Sequence, residues 1–118
     1  QKVLQGILKA GDNDKWVDII TKEIVSGILV PGQKIPSVRE YSSIFAANPN
    51  TISKALQILE DMKLIYTERT NGKYVTLNNE IIIKCKEEIF SKRVMDFIDD
   101  MNSIGYNKED IIKKIMES

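Results

Sequence analysis

The segment "IPSVREYSSIFAANPNTISKALQILEDMKLI", residues 35–65, contains two short amphipathic helical patterns separated by a turn. Ser37 precedes the first pattern and Glu40 follows it by three residues, a spacing that predicts a capping box. Asn48 and Pro49 suit the N-cap and the first position of the second helix. The segment therefore predicts a helix–turn–helix whose second helix begins with polar residues.

Apolar residues in this region recur at intervals of three and four, which places them on one face of each helix. We expect these faces to form the core. The expected core residues are Val38, Tyr41, Ile44 and Phe45 in the first helix and Ile52, Ala55, Leu56, Leu59 and Met62 in the second. An earlier helix, capped by Asn13 or Asp14, is predicted to bury Trp16, Val17, Ile20, Ile24 and Ile28.

After the second helix the apolar period changes from helical to strand-like. Residues 64–77, "LIYTERTNGKYVTL", alternate roughly in twos and predict a β-hairpin with its turn near Asn71 and Gly72. The stretch before Asn13 is either a short helix or an extended arm. The expected fold is mostly α with a small β-hairpin: an N-terminal arm and a winged helix-turn-helix domain over residues 1–78, then two helices over residues 79–118.

The second part of the chain predicts two amphipathic helices. The first runs for about twenty residues, with no turn signal until Gly105. Asn107, with Asp110 three positions on, predicts the start of the second. Their combined apolar surface exceeds what a winged helix covers, which favours a homodimer, although both helices could instead fold back on their own domain. The predicted dimerisation residues are Phe90, Val94, Phe97, Met101, Ile111, Ile112 and Ile115.

Composition argues against catalysis. The 118 residues contain no histidine and one cysteine, Cys85, so the commonest general base and metal ligand are missing. We therefore predict no enzyme, no cofactor and no metal. No apolar run approaches the roughly 20 residues of a membrane span, so we expect a cytoplasmic protein without a membrane partner.

The start of the second helix has the chemistry of a DNA-reading element. Short side chains that donate and accept hydrogen bonds suit base edges and phosphates. The alternative is that these are ordinary capping residues, but the hairpin that follows completes a winged helix and favours DNA. The candidates on the helix are Asn48, Asn50, Thr51, Ser53 and Lys54. In the wing, Arg69, Lys73 and the backbone at Gly72 are candidates. A net charge of +2 over residues 1–78, from ten basic and eight acidic residues, weakly favours a polyanion.

The motifs "SGILVPGQKIPSVREYS", "NPNTISKALQILE" and "NGKYV" together resemble the DNA-binding domain of GntR-family bacterial transcription regulators, over about residues 16–76. The short tail, with "GYNKEDIIKKI", resembles the YtrA-like subfamily, whose two C-terminal helices serve dimerisation. The resemblance implies a repressor that binds a palindromic operator in double-stranded DNA as a homodimer. Carried over by position, it makes Arg39 a DNA contact and supports Asn48, Asn50, Thr51, Lys54 and Gly72. No effector is indicated.

The chain departs from the family pattern in two places. Lys63 occupies the position where the family usually has glycine after the second helix, so this helix needs another way to end. A second wing glycine, usual near Arg69 and Thr70, is also absent. The alternative function is a winged helix used for protein–protein contact without DNA binding. Its affinity for DNA would be absent or would not depend on the salt concentration.

Overall fold

The computed structural model describes residues 14–118, so the predicted arm and the predicted cap at Asn13 lie outside the described residues. The chain forms α1 (Asp14–Val25), α2 (Val38–Phe45), α3 (Pro49–Asp61), β1 (Ile65–Glu68), β2 (Gly72–Val75), α4 (Asn79–Ser103) and α5 (Lys108–Glu117). The two strands form one antiparallel hairpin. The predicted fold class, a winged helix followed by C-terminal helices, is confirmed.

The helix starts follow the predicted capping chemistry. At α2, the backbone N–H of Glu40 donates to Ser37 Oγ at 3.1 Å, and the backbone N–H of Ser37 donates to Glu40 Oε1 at 2.9 Å. Asn107 and Asp110 form the same reciprocal pair at α5. Because caps satisfy N–H groups that no helical carbonyl reaches, they fix where each helix begins.

Helix α3 is the centre of the first core and packs against α1, α2 and β1. Its side chains Ile52, Ala55, Leu56 and Leu59 are fully buried, as predicted. Trp16 of α1 stacks on Phe45 of α2 with ring centroids 4.6 Å apart, and Phe45 stacks on Tyr41 at 5.3 Å.

Two predicted core residues are exposed. Ile28 is 69% exposed because α1 ends at Val25 and Gly27, with φ of 87°, turns the chain away. Ile44 is 65% exposed because the aromatic stack holds α2 on its Phe45 side, leaving Ile44 at the outer edge of the apolar stripe. The predictions for these two side chains were wrong.

A third extended segment is attached to the hairpin. Residues 32–35, which lead into α2, pair with the outer edge of β2. The N–H of Gly32 donates to the carbonyl of Val75, and the N–H of Ile35 donates to the carbonyl of Lys73, both at 2.9 Å. The loop before the helix–turn–helix is therefore fixed to the wing.

The chain separates into two compact units, the first ending at Lys86 and the second being Glu87–Ser118. The predicted domain boundary at 78/79 coincides with the start of α4, whereas the units divide eight residues later. The first turns of α4 belong to the first unit, where Ile82 and Cys85 are buried. Helix α4 ends just before Gly105, whose φ is 98°.

Helix α3 ends without the expected glycine. Lys63 takes the left-handed conformation itself, with φ of 67°. Its N–H donates to the carbonyl of Glu60 at 2.9 Å, and the N–H of Leu64 donates to the carbonyl of Leu59 at 3.1 Å. These two bonds form a Schellman motif, which places a side-chain-bearing residue where glycine is favoured. The helix therefore ends at a cost in backbone strain.

We predict that Lys63→Gly raises the free energy of unfolding by about 1 kcal/mol, because glycine adopts the left-handed conformation without the Cβ penalty. Urea unfolding of the full chain followed by circular dichroism measures this. Lys63→Ala is the control: it removes the same long side chain but keeps the strained Cβ. A glycine variant no more stable than the alanine variant would contradict the assigned strain.

Candidate nucleic-acid interface

The N-terminus of α3 faces solvent with a polar surface. Asn48 is the N-cap, and its Oδ1 accepts the backbone N–H of Asn50 at 2.8 Å. Pro49 occupies the first helical turn, as predicted. Because Oδ1 of Asn48 is engaged by the cap, its side-chain NH₂ is the group left to meet a ligand.

The predicted contact residues on α3 share one end of the helix. Asn48, Asn50, Ser53 and Lys54 are exposed, and Thr51 is half-buried. The opposite face of the helix is the buried stripe through Ile52 and Leu56. The core therefore holds α3 with its polar N-terminal turn outward, where the unpaired N–H groups of a helix start also favour phosphate.

Arg39 lies in the first turn of α2, directly after the cap at Ser37, and its side chain is exposed. The neighbouring Glu40 is held by that cap, and the hydrogen bonds from Ser37 keep the pKa of the Glu40 carboxyl below its ordinary value. Arg39 thus belongs to the helix–turn–helix but to the helix before α3.

The wing turns through three exposed residues, Arg69–Asn71, between the paired ends Glu68 and Gly72. Gly72 has φ of 102°, a conformation that side chains rarely adopt. On one face of the hairpin Tyr66 stacks on its cross-strand partner Tyr74, with centroids 5.8 Å apart. Ring stacking across directly opposed positions stiffens the hairpin.

Lys73 is joined to α3. Its Nζ donates to Glu60 Oε1 at 2.8 Å and to Thr67 Oγ1 at 2.9 Å, and Thr67 Oγ1 donates to the same carboxylate oxygen at 2.9 Å. These bonds, Lys73 first, lower the pKa of Glu60. The ammonium that the sequence assigned to DNA thus lies in an ion pair with the C-terminal part of α3. Its role as a DNA contact stays a prediction.

Sequence reasoning gave no role to Lys34, which lies beside the wing. It pairs with Tyr74 across an antiparallel bridge. Its Cε lies 3.3 Å, and its Nζ 4.0 Å, from where a Cβ on Gly72 would be. Glycine at position 72 therefore leaves room for the side chain of Lys34. No sequence signal links residues 38 positions apart, because the contact depends on how the loop before α2 pairs with β2.

Within the second unit, most of the predicted dimerisation residues are exposed. Phe90 is 69% exposed, Phe97 48% and Ile115 61%, and the side chains of Val94 and Ile112 are also exposed. Met101 is half-buried, and Ile111 is buried within its own unit. Ile111 therefore contributes to the packing of this unit, and the remaining residues form its apolar surface.

The end of α4 and helix α5 enclose a cavity of about 530 Å³ within this unit. Its lining combines apolar side chains with both signs of charge. The lining residues are Phe97, Met101, Tyr106, Asp110, Ile111, Lys113, Lys114, Ile115 and Glu117.

Two polar side chains, Glu23 of α1 and Tyr41 of α2, have perturbed pKa values. Burial raises the pKa of the Tyr41 phenol well above its ordinary value, and the nearby Glu23 adds to the effect. Burial also raises the pKa of the Glu23 carboxyl.

In the described part of the chain no group of carboxylates and cysteines is placed to hold a metal ion. Among the helices of residues 14–118, none is both long enough and apolar enough to cross a membrane.

The family model for bacterial regulatory proteins of the gntR family matches residues 14–75, the span that contains the helix–turn–helix and the wing. The chain belongs to the GntR family. Its members and the relatives below are transcriptional regulators, so the prediction that the chain is not an enzyme is confirmed.

Relatives match this GntR-family chain beyond the winged helix. The HTH-type transcriptional repressor YtrA of Bacillus subtilis (strain 168) is 36% identical over 94 residues, 79% of this chain and 72% of YtrA. A GntR family transcriptional regulator from Listeria monocytogenes has a similar structure, with a TM-score of 0.87, 34% identity and coverage of 93% of this chain and 96% of that one. The predicted resemblance to the YtrA-like subfamily is confirmed.

One further similar structure covers a smaller share of the chain. The DNA-binding domain of AraR, solved in complex with operator ORR3, has a TM-score of 0.53 and 29% identity, and covers 55% of this chain and 78% of that one. That protein is bound to its operator in the structure.

Proposed function

We propose that this GntR-family regulator is a repressor that binds operator DNA as a homodimer and presents the N-terminus of α3 to the major groove. The observation that carries the proposal is the exposed polar first turn of α3, held outward by a fully buried opposite face. Side chains of this size and chemistry reach base edges when a helix N-terminus enters the groove. The name of the YtrA relative, a repressor, supports the direction of regulation.

In this proposal the contacts fall into two classes. Asn50, Ser53 and Lys54 lie on the exposed part of α3 and read base edges or adjacent phosphates. Asn48 and Thr51 contact the phosphate backbone of the DNA, as do the free N–H groups at the start of α3. Arg39 on α2 and the wing backbone at Gly72 contact the DNA on either side of α3. The AraR complex with operator ORR3 supports DNA as the partner of a similar domain.

The apolar surface of the second unit supports homodimerisation. Phe90, Val94, Phe97 and Met101 lie at alternating intervals of four and three along α4, which is the spacing of a helix–helix seam. Aromatic and aliphatic side chains exposed along one seam form a surface that is stabilised by a partner. A second copy is the partner we propose, because one recognition helix reads too few base pairs to select a site in a genome.

Protein–protein contact without DNA is the alternative function. This alternative also uses the apolar surface of the second unit, but it gives no role to the polar start of α3. The salt dependence of duplex binding distinguishes the two, because neutralised phosphates release counterions and the affinity falls with salt.

We expect Arg39→Ala and Asn50→Ala each to weaken binding by about 1–3 kcal/mol, measured by fluorescence anisotropy on the duplex that the full chain selects from a random pool. Both side chains are exposed, so thermal unfolding should not change. Lys22→Ala and Asn102→Ala are the controls, because they remove a cation and an amide from exposed positions outside the helix–turn–helix. Wild-type affinity in both test variants would contradict the site.

The homodimer predicts a second result. Phe97→Glu should convert the full chain to monomers in sedimentation velocity at micromolar concentration, because a carboxylate would be buried in the seam without a partner. Ser91→Glu introduces the same charge at an exposed position off the seam and should leave the dimer intact. A Phe97→Glu protein that remains dimeric, or a wild-type protein that is monomeric, would refute this assembly.

A further inference from the structure

Lys73 lies in the hairpin and Lys34 lies beside it, and the surroundings of the two lysines differ. The ammonium of Lys73 is hydrogen-bonded to both Glu60 and Thr67, and only 27% of its side chain is exposed. To bind a phosphate, Lys73 would have to leave a carboxylate whose remaining partner is one hydroxyl group. Its geometry is that of a link between β2 and α3.

Lys34 is held against the same hairpin from outside. Its backbone lies in the segment that pairs with β2, so the residue moves with the wing although it precedes α2 in the chain. Its side chain runs beside Gly72, where no side chain obstructs it. Because position 72 has no Cβ, the wing backbone and the Lys34 ammonium can approach one DNA strand together.

The charged groups around Lys34 leave its ammonium available. Lys22, Lys73 and Lys92 each form an ion pair with a nearby carboxylate. Glu40 is close enough for Lys34 to lower its pKa slightly, but the carboxylate of Glu40 is hydrogen-bonded to the backbone N–H of Ser37. Lys34 is exposed, so its long stem can extend the charge toward a partner.

We propose that Lys34 is the cation through which the wing binds a DNA phosphate, and that Lys73 is a positioning residue that holds the hairpin against α3. This rests on the proposed DNA-binding function and adds a contact residue from outside the helix–turn–helix and the hairpin. Lysine presents a compact charge without a directional fork, so the contact is to the phosphate backbone and is independent of base sequence.

The test for Lys34 uses a mixed-sequence duplex of about 30 base pairs, bound by the full chain between about 50 and 200 mM salt. Lys34→Ala should weaken binding at low salt and reduce the slope of log K against log salt by about 0.9 for each protomer bound. Lys34→Arg should keep the wild-type slope. Lys22→Ala removes an equal charge from α1 and should leave the slope unchanged.

Two outcomes separate this proposal from the function on which it rests. A wild-type slope near zero would refute DNA binding itself. A wild-type slope that is steep and unchanged by Lys34→Ala would refute the role of Lys34 and leave the DNA-binding function standing.

The role of Lys73 is tested by exchanging the charges of its pair. Lys73→Glu should weaken duplex binding, because it places a carboxylate against Glu60 and releases the hairpin. Adding Glu60→Lys restores the pair at unchanged net charge, and we expect it to recover most of the affinity and the wild-type salt slope. If the double variant binds as weakly as Lys73→Glu with a reduced slope, Lys73 is itself a phosphate contact and the positioning role is wrong.

Discussion

The burial of one face of α3 is the constraint on which the rest of the first unit depends. Ile52, Ala55, Leu56 and Leu59 have no exposed surface, and they contact elements from before and after α3 in the chain. Removing the three larger side chains, Ile52, Leu56 and Leu59, from water contributes about 1.5–3 kcal/mol each. A helix held that firmly on one side has a fixed outward side, so the polar first turn is presented in one orientation. The core thereby determines which side chains of α3 are exposed.

Residues in the left-handed conformation lie on both sides of α3 in the chain, one shortly before the helix and one shortly after it. Ala46 ends α2 with φ of 51° and Lys63 follows α3 with φ of 67°. Each is a side-chain-bearing residue in a conformation that favours glycine, so each retains strain that the surrounding core must offset. The short turn at Ala46 brings the end of α2 directly to the cap of α3, and the turn at Lys63 starts β1 directly after the helix. Helix, turn and wing are consequently one connected unit.

Local chemistry made much of this fold predictable. Ser37 with Glu40, Asn48 with Pro49, and Asn107 with Asp110 act on neighbours within four residues, so their roles can be read from the sequence. The exposure of Ile28 and Ile44 could not be read in this way, because it depends on which side of a short helix meets a neighbour. The burial of Ile82 and Cys85 in the first unit is also a tertiary effect, and it moves the boundary between the units into α4. Among the site residues, those on α3 follow from the motif, whereas the Glu60–Lys73 ion pair and the position of Lys34 arise only when the hairpin folds onto α3 and the preceding loop.

We propose that two copies of α3, one from each protomer, read DNA across a twofold axis. Selection of bound duplexes from a random pool by the full chain, followed by sequencing, tests it most directly. A homodimer that reads DNA with both copies of α3 should enrich a palindrome. Its two half-site centres should lie about one helical turn, or a multiple of it, apart. Enrichment of a single asymmetric element, or no enrichment above the starting pool, would contradict it.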